Sequence, residues 1–140
     1  MSFTEQFLTL FRKETYITVN ASLAVIILII FVYFALFSPA KNNYPFTCIH
    51  EELTGEPCLS CGLSHSFSLI IKGRITEAYD WNPNGIRIFL FFLGQLFFRV
   101  VFSYYYIVAE SIRKQLIIYD ITGSCFMFLL SFLPFITYLF

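Results

Sequence analysis

Tyr16-Ile17-Thr18-Val19-Asn20-Ala21-Ser22-Leu23-Ala24-Val25-Ile26-Ile27-Leu28-Ile29-Ile30-Phe31-Val32-Tyr33-Phe34-Ala35-Leu36-Phe37 contains no charged residue. As a helix rising about 1.5 Å per residue, this run reaches about 33 Å, enough to cross an apolar bilayer core of about 30 Å. Arg12 and Lys13 precede it, as they would in a signal peptide. The apolar stretch of a signal peptide, however, is only about 7–15 residues long. A retained spanning helix over residues 16–37 is therefore expected, stopped by Pro39 and the polar Lys41-Asn42-Asn43.

Two further apolar runs follow. The second span is expected over 84–106, with Asn82 as its N-cap and Pro83 at the first helical position, where a missing N–H costs nothing. Arg87 and Arg99 interrupt it, about 18 Å apart along the axis. Both are candidate membrane-embedded charges. Arg87 falls at one interface, and Arg99 reads as an anchor snorkelling towards the other, beside the aromatic Tyr104-Tyr105-Tyr106. A polar connection, Glu110 to Gln115, leads to a third span over 117–140 that includes Pro134. The expected architecture is all-α and membrane-integral, one domain over 1–140, with a long loop over 38–83.

Composition supports this. The chain has 140 residues, 58% of them hydrophobic and 13% charged, and 19 are Phe. A soluble domain averages about 45–50% apolar and about 25% charged. A small soluble fold has too much surface to hide so many Phe side chains, whereas lipid accepts them on the outside. Net charge is zero and no basic stripe exists, which excludes a nucleic-acid partner. The expected partners are the bilayer and, within it, other membrane proteins or a second copy of the chain. Arg12 and Lys13 share a side with Arg113 and Lys114 if there are three spans. The long loop carries Lys41, Lys72 and Arg74, diluted by Glu51, Glu52, Glu56, Glu77 and Asp80. By the positive-inside rule the N-terminus is expected in the cytoplasm and the loop outside it.

That loop holds Cys48, Cys58 and Cys61; Cys125 stands alone in an apolar run and reads as a small buried hydrophobe. Residues 61–72 have helical spacing, with Ser60 as the expected N-cap and Gly73 as the residue after the C-cap. A helix this short cannot span, so it is expected to lie at the interface or to re-enter. Cys61 would then open a helix, where the positive end of the dipole favours thiolate, with His65 one turn on. His50 reads as a solvated loop histidine. Three readings of the cysteines stay open. Cys48 pairs with Cys58 or Cys61 in a disulfide, natural outside the cytoplasm. Cys48, Cys58, Cys61 and His65 form a tetrahedral metal shell, which would suit zinc. Or Cys58 and Cys61 are a redox pair, although the thioredoxin-like βαβ context is absent.

The ordered string Cys48, Leu53-Thr54-Gly55, Pro57-Cys58-Leu59-Ser60-Cys61-Gly62-Leu63-Ser64-His65, Gly73, Ala78, Asn82-Pro83 resembles domain-of-unknown-function family 2752. The family's pattern is a Cys, then L-T-G-x-x-C-P-x-C-G-x-T-R, then a Gly, an Ala and an Asn-Pro. The resemblance covers roughly residues 46–100. Leu59 replaces the family's Pro, and Ser64-His65 its Thr-Arg, so a ligand role for His65 is not a family feature. The resemblance implies a small bacterial integral membrane protein, placed in the cytoplasmic membrane, and no activity. The function expected first is a non-enzymatic membrane subunit or accessory protein with a disulfide- or metal-stapled loop. A membrane thiol oxidoreductase using Cys58 and Cys61 is the alternative, and a small carrier or channel component with Arg87 or Arg99 in its path is a third.

Overall fold

The computed structural model describes residues 14–36 and 62–138, with Thr9, Leu53 and Gly55 beside them. Cys48, His50, Cys58 and Cys61 lie outside the described residues. The described residues are mostly helical, without a strand: α1 (Thr15–Leu36), α2 (Leu63–Ile71), α3 (Ile75–Trp81), α4 (Gly85–Val108), a single 3-10 turn at Glu110–Ile112, and α5 (Arg113–Tyr138). Three of these helices, α1, α4 and α5, are long and apolar enough to cross a membrane. The Val- and Ile-rich α1 would be a poor helix in water. In lipid, a helix is the way for one segment to satisfy all its own backbone groups.

Several boundaries differ from expectation. The third long helix starts at Arg113 rather than 117, because the polar connection is used up by the 3-10 turn. Arg113 Nε donates to the Tyr106 carbonyl at 3.0 Å, which fixes this start. Asn82 does not cap α4 directly; it closes α3, and its side chain accepts from the Asn84 N–H at 2.8 Å in an Asx turn that leads to Gly85. The N-cap of α2 is Gly62, at φ +75°, rather than Ser60. The other end of α2 is as expected. Gly73 N–H bonds the Ile70 carbonyl and Arg74 N–H the Leu69 carbonyl, with Gly73 at φ +77°, a Schellman stop. Pro134 is accommodated inside α5.

The distribution of polarity is inverted relative to a soluble protein. Asn20, Gln95, Arg99 and Asp120 are buried, while Ile29, Phe97 and Phe126 are each more than 60% exposed. An apolar exterior around a polar interior suits lipid as the surrounding solvent. Cys125 follows the same logic: expected to be buried, it is exposed on α5, as a weakly polar thiol facing lipid can be.

The chain divides into two compact units. The first takes in the described residues of 1–29 and 92–127, and its core includes Ile17, Tyr106 and Leu116. Gly94 and Gly123 in it face Met127 and Phe98, letting α4 and α5 approach closely. The second takes in the described residues of 30–91 and 128–138. Here α2 packs on α3, and aromatic rings make the core. Phe67 of α2 meets Phe34 of α1 at 5.2 Å and Phe89 of α4 at 5.7 Å, both edge-on. Phe91 packs edge-on against Phe132 of α5 at 5.5 Å.

Candidate functional site

Two groups of polar side chains are built into the fold, one in each unit. In the first unit, Arg99 lies about 21 Å along α4 from Gly85. Its guanidinium faces the Asp120 carboxylate with two nitrogens, NH2 to Oδ1 at 2.6 Å and NH1 to Oδ2 at 3.1 Å. NH1 also donates to Asn20 Oδ1 of α1 at 2.6 Å. NH2 is shared further with Ser124 Oγ at 2.6 Å and Gln95 Oε1 at 3.2 Å. Tyr16 of α1 donates its hydroxyl to Asp120 Oδ2 at 2.7 Å. One cation on α4 therefore ties α1 and α5 together, and one anion on α5 is held from both other helices.

The chemistry of this group is nearly closed. Arg99 and Asp120 cancel in charge, and both carboxylate oxygens accept strong bonds. A lone charge in mid-helix would cost about 2.5–3.5 kcal/mol on insertion scales; pairing removes most of that. The capacity left over is donor only: Arg99 Nε, Asn20 Nδ2 and Gln95 Nε2 are buried without a partner among the described residues. Arg99 is thus not an interfacial anchor. It is held in protein because an acid 21 positions along the chain reaches it. The sequence did carry a signal for this, namely Asn20, Gln95, Asp120 and Ser124, polar residues inside otherwise apolar runs. Arg87 sits three residues into α4 and is exposed.

Below Tyr16 the same unit has a second tie. Tyr106 stacks at a tilt on Tyr16, with centroids 4.6 Å apart, and donates to Glu14 Oε2 at 3.0 Å. The Arg113 guanidinium lies 4.9 Å over the Tyr106 ring and bonds Glu110 at 3.2 Å. Of the three expected belt tyrosines, Tyr104 and Tyr105 are exposed and Tyr106 is buried.

In the second unit, α2 is buried from His65 to Leu69, with Ser66 and Ser68 fully covered. His65 lies flat on Trp81 of α3, centroids 4.3 Å apart and planes 13° apart. A Cβ on Gly62 would come within 2.6 Å of the Trp81 carbonyl oxygen, so the chain can pass there only as glycine. A Cβ on Gly85 would come within 2.0 Å of Ser66 Oγ. The residue after Cys61 and the helix it opens are therefore pinned by α3 and by the start of α4.

This pinned segment carries the family signature. Residues 48–96 match the model of the family described as Protein of unknown function (DUF2752). The DUF2752 segment takes in α2, α3 and α4 as far as Leu96, so Gln95 falls within it, and Asn20, Arg99 and Asp120 fall outside. No curated protein and no solved structure matches the chain. Of the sequence-derived candidates, Cys48, Cys58 and Cys61 are in the DUF2752 segment but outside the described residues. His65, the fourth member of the expected metal set, is 1% exposed. Among the described residues no group of His, Cys, Asp and Glu is arranged to hold a metal.

Proposed function

We propose that this membrane protein is a non-enzymatic subunit or accessory protein that holds its cysteine-bearing segment on a rigid helical platform. The supporting observation is the clamping of α2 directly after Cys61: Gly62 against the Trp81 carbonyl, His65 flat on Trp81, and Phe67 between Phe34 and Phe89. Such a platform fixes where the segment ends, which a docking element needs. The buried charges point the same way. Arg99 and Asp120 are spent on each other and on their neighbours, so this buried pair has no net charge to offer a substrate.

In this reading the segment is stapled by a disulfide between Cys48 and Cys58 or Cys61, on the extracytoplasmic side of a bacterial inner membrane. Its partners are other membrane proteins or a second copy of the chain. A disulfide is favoured over a zinc shell because it needs only two of the three cysteines and suits an extracytoplasmic loop.

Alkylation mass spectrometry on purified protein, with and without reductant, tests the staple. Two of the three thiols are expected to react only after reduction, with no stoichiometric zinc. Three thiols free at the outset, without metal, would overturn it. Bound zinc would replace the disulfide with the Cys48, Cys58, Cys61 and His65 shell. If the protein reduces a peptide disulfide and Cys58→Ser or Cys61→Ser abolishes this, the oxidoreductase alternative takes over.

A further inference from the structure

We infer that α3 is an interfacial anchor, seating Ile75, Tyr79 and Trp81 in the lipid headgroup layer beside the start of α4. The helix has seven residues, Ile75–Trp81, and its one buried residue is Ala78. At about 100° per residue, Ile75 and Tyr79 lie to one side of the Ala78 line and Trp81 to the other. Thr76 and Asp80 occupy the opposite arc, and Glu77 lies to the side, about 40° beyond Trp81. The helix therefore rests on α2 through Ala78, flanks that contact with large apolar groups, and keeps its acids outside those flanks. This is the pattern of a helix lying in the plane of an interface.

The exposure of those flanks needs an occupant. Ile75 is 46% exposed, Tyr79 57% and Trp81 43%. Continuity with the spanning helix supplies one. Only Asn82-Pro83-Asn84 separate Trp81 from Gly85, the first residue of α4. Gly85 N–H bonds the Asn82 carbonyl at 3.0 Å, a turn that keeps the end of α3 within about 7 Å of the first residue of α4. Tyr and Trp favour the headgroup level because their rings are apolar and their N–H or O–H groups are wet. The charges nearby balance: Lys72 and Arg74 against Glu77 and Asp80, with Arg74 Nε bonding Glu77 at 2.6 Å. The anchor is therefore aromatic rather than electrostatic, and does not depend on anionic lipid.

Trp81 is the single tryptophan of the chain, so its fluorescence reports on α3 alone. The full chain is reconstituted in phosphatidylcholine vesicles whose acyl chains carry bromine at a shallow or a deep position. Stronger quenching by shallow than by deep bromine is expected, unchanged when anionic lipid is added. A second reporter, Tyr79→Trp in a Trp81→Phe background, is expected to behave alike. Quenching by aqueous iodide with none by either lipid places α3 in water and overturns the anchor. Protection from both iodide and lipid means that protein covers it, and also overturns the anchor. Stronger quenching by deep bromine puts the helix in the hydrocarbon and does the same.

Discussion

Replacing Arg99 by Met tests the first unit most directly. The substitution keeps an unbranched apolar stem, two atoms shorter than that of arginine, and removes all three guanidinium nitrogens. It takes five hydrogen bonds from the network and leaves the Asp120 carboxylate buried at 1% exposure with no cation. Tyr16 and Ser124 still donate to it, at 2.7 and 3.4 Å, but cannot neutralise it. Breaking one side of a buried pair costs about 3–5 kcal/mol. At about 1.4 kcal/mol per tenfold change, that is a loss of two to four decades in the folding equilibrium. Asp120→Leu alone should cost a similar amount, because it strands the guanidinium. The double variant should lose far less than the sum, since an apolar pair of similar volume replaces a matched ion pair at little net cost. The assay is reversible unfolding in mixed micelles of mild detergent and dodecyl sulfate, followed by circular dichroism, on all four proteins. Single losses below about 1 kcal/mol that simply add in the double variant would refute the reasoning, because that is the behaviour of an arginine snorkelling to the interface.

The glycines give a second set of expectations. Gly62→Ala and Gly73→Ala both force a Cβ onto a left-handed residue, but Gly62 also meets the Trp81 backbone, whereas Gly73 opens on empty space. The first should lower the thermal midpoint clearly more than the second, which should cost about 1–2 kcal/mol. Gly85→Ala drives a Cβ to within 2.0 Å of Ser66 Oγ in a covered helix, whereas Gly94→Ala meets the mobile tip of Met127. The Gly85 variant should therefore melt well below the Gly94 variant; the reverse order would contradict the packing of α2 on α4. Tyr16→Phe removes one hydrogen bond to a charged acceptor and should cost about 1.5–3 kcal/mol in the same micelle titration, no more than Asp120→Leu. With a maleimide that cannot cross membranes, reduced Cys58 and Cys61 should label in intact cells; labelling only after lysis would reverse the proposed orientation.

The three long helices were legible because lipid imposes a crude requirement, length and apolarity, that α1, α4 and α5 each satisfy. Gly73 was legible for a different reason: a Schellman stop is local, set by a few consecutive residues. What escaped was pairing across the chain. Arg99 and Asp120 look alike to a reader whether they reach for water or for each other. The choice depends on which helix faces turn inward, and the apolar runs of α1 and α5 are too uniform to show a face. Ser66 and Ser68 misled in the same way. Both are polar residues of a short helix, yet they are buried together with Phe67 and Leu69, which helical spacing alone does not show.

That enclosure bears on where function sits. The family match ends at residue 96, before Arg99 and far short of Asp120. The charged clamp thus lies, apart from Gln95, outside the matched segment, and a stability device of that kind is replaceable by apolar packing. The platform of α2 and α3 lies wholly within the match, together with the glycines that only its geometry requires. Gly62 is the informative case. Its positive φ and its approach to the Trp81 carbonyl explain why glycine follows Cys61, and neither demand arises from lipid or from spanning. This forced path lies immediately after Cys61, in the part of the chain to which the proposed function is assigned. The function proposed for the segment therefore rests on α2, α3 and the turn into α4, while the spans serve to carry them.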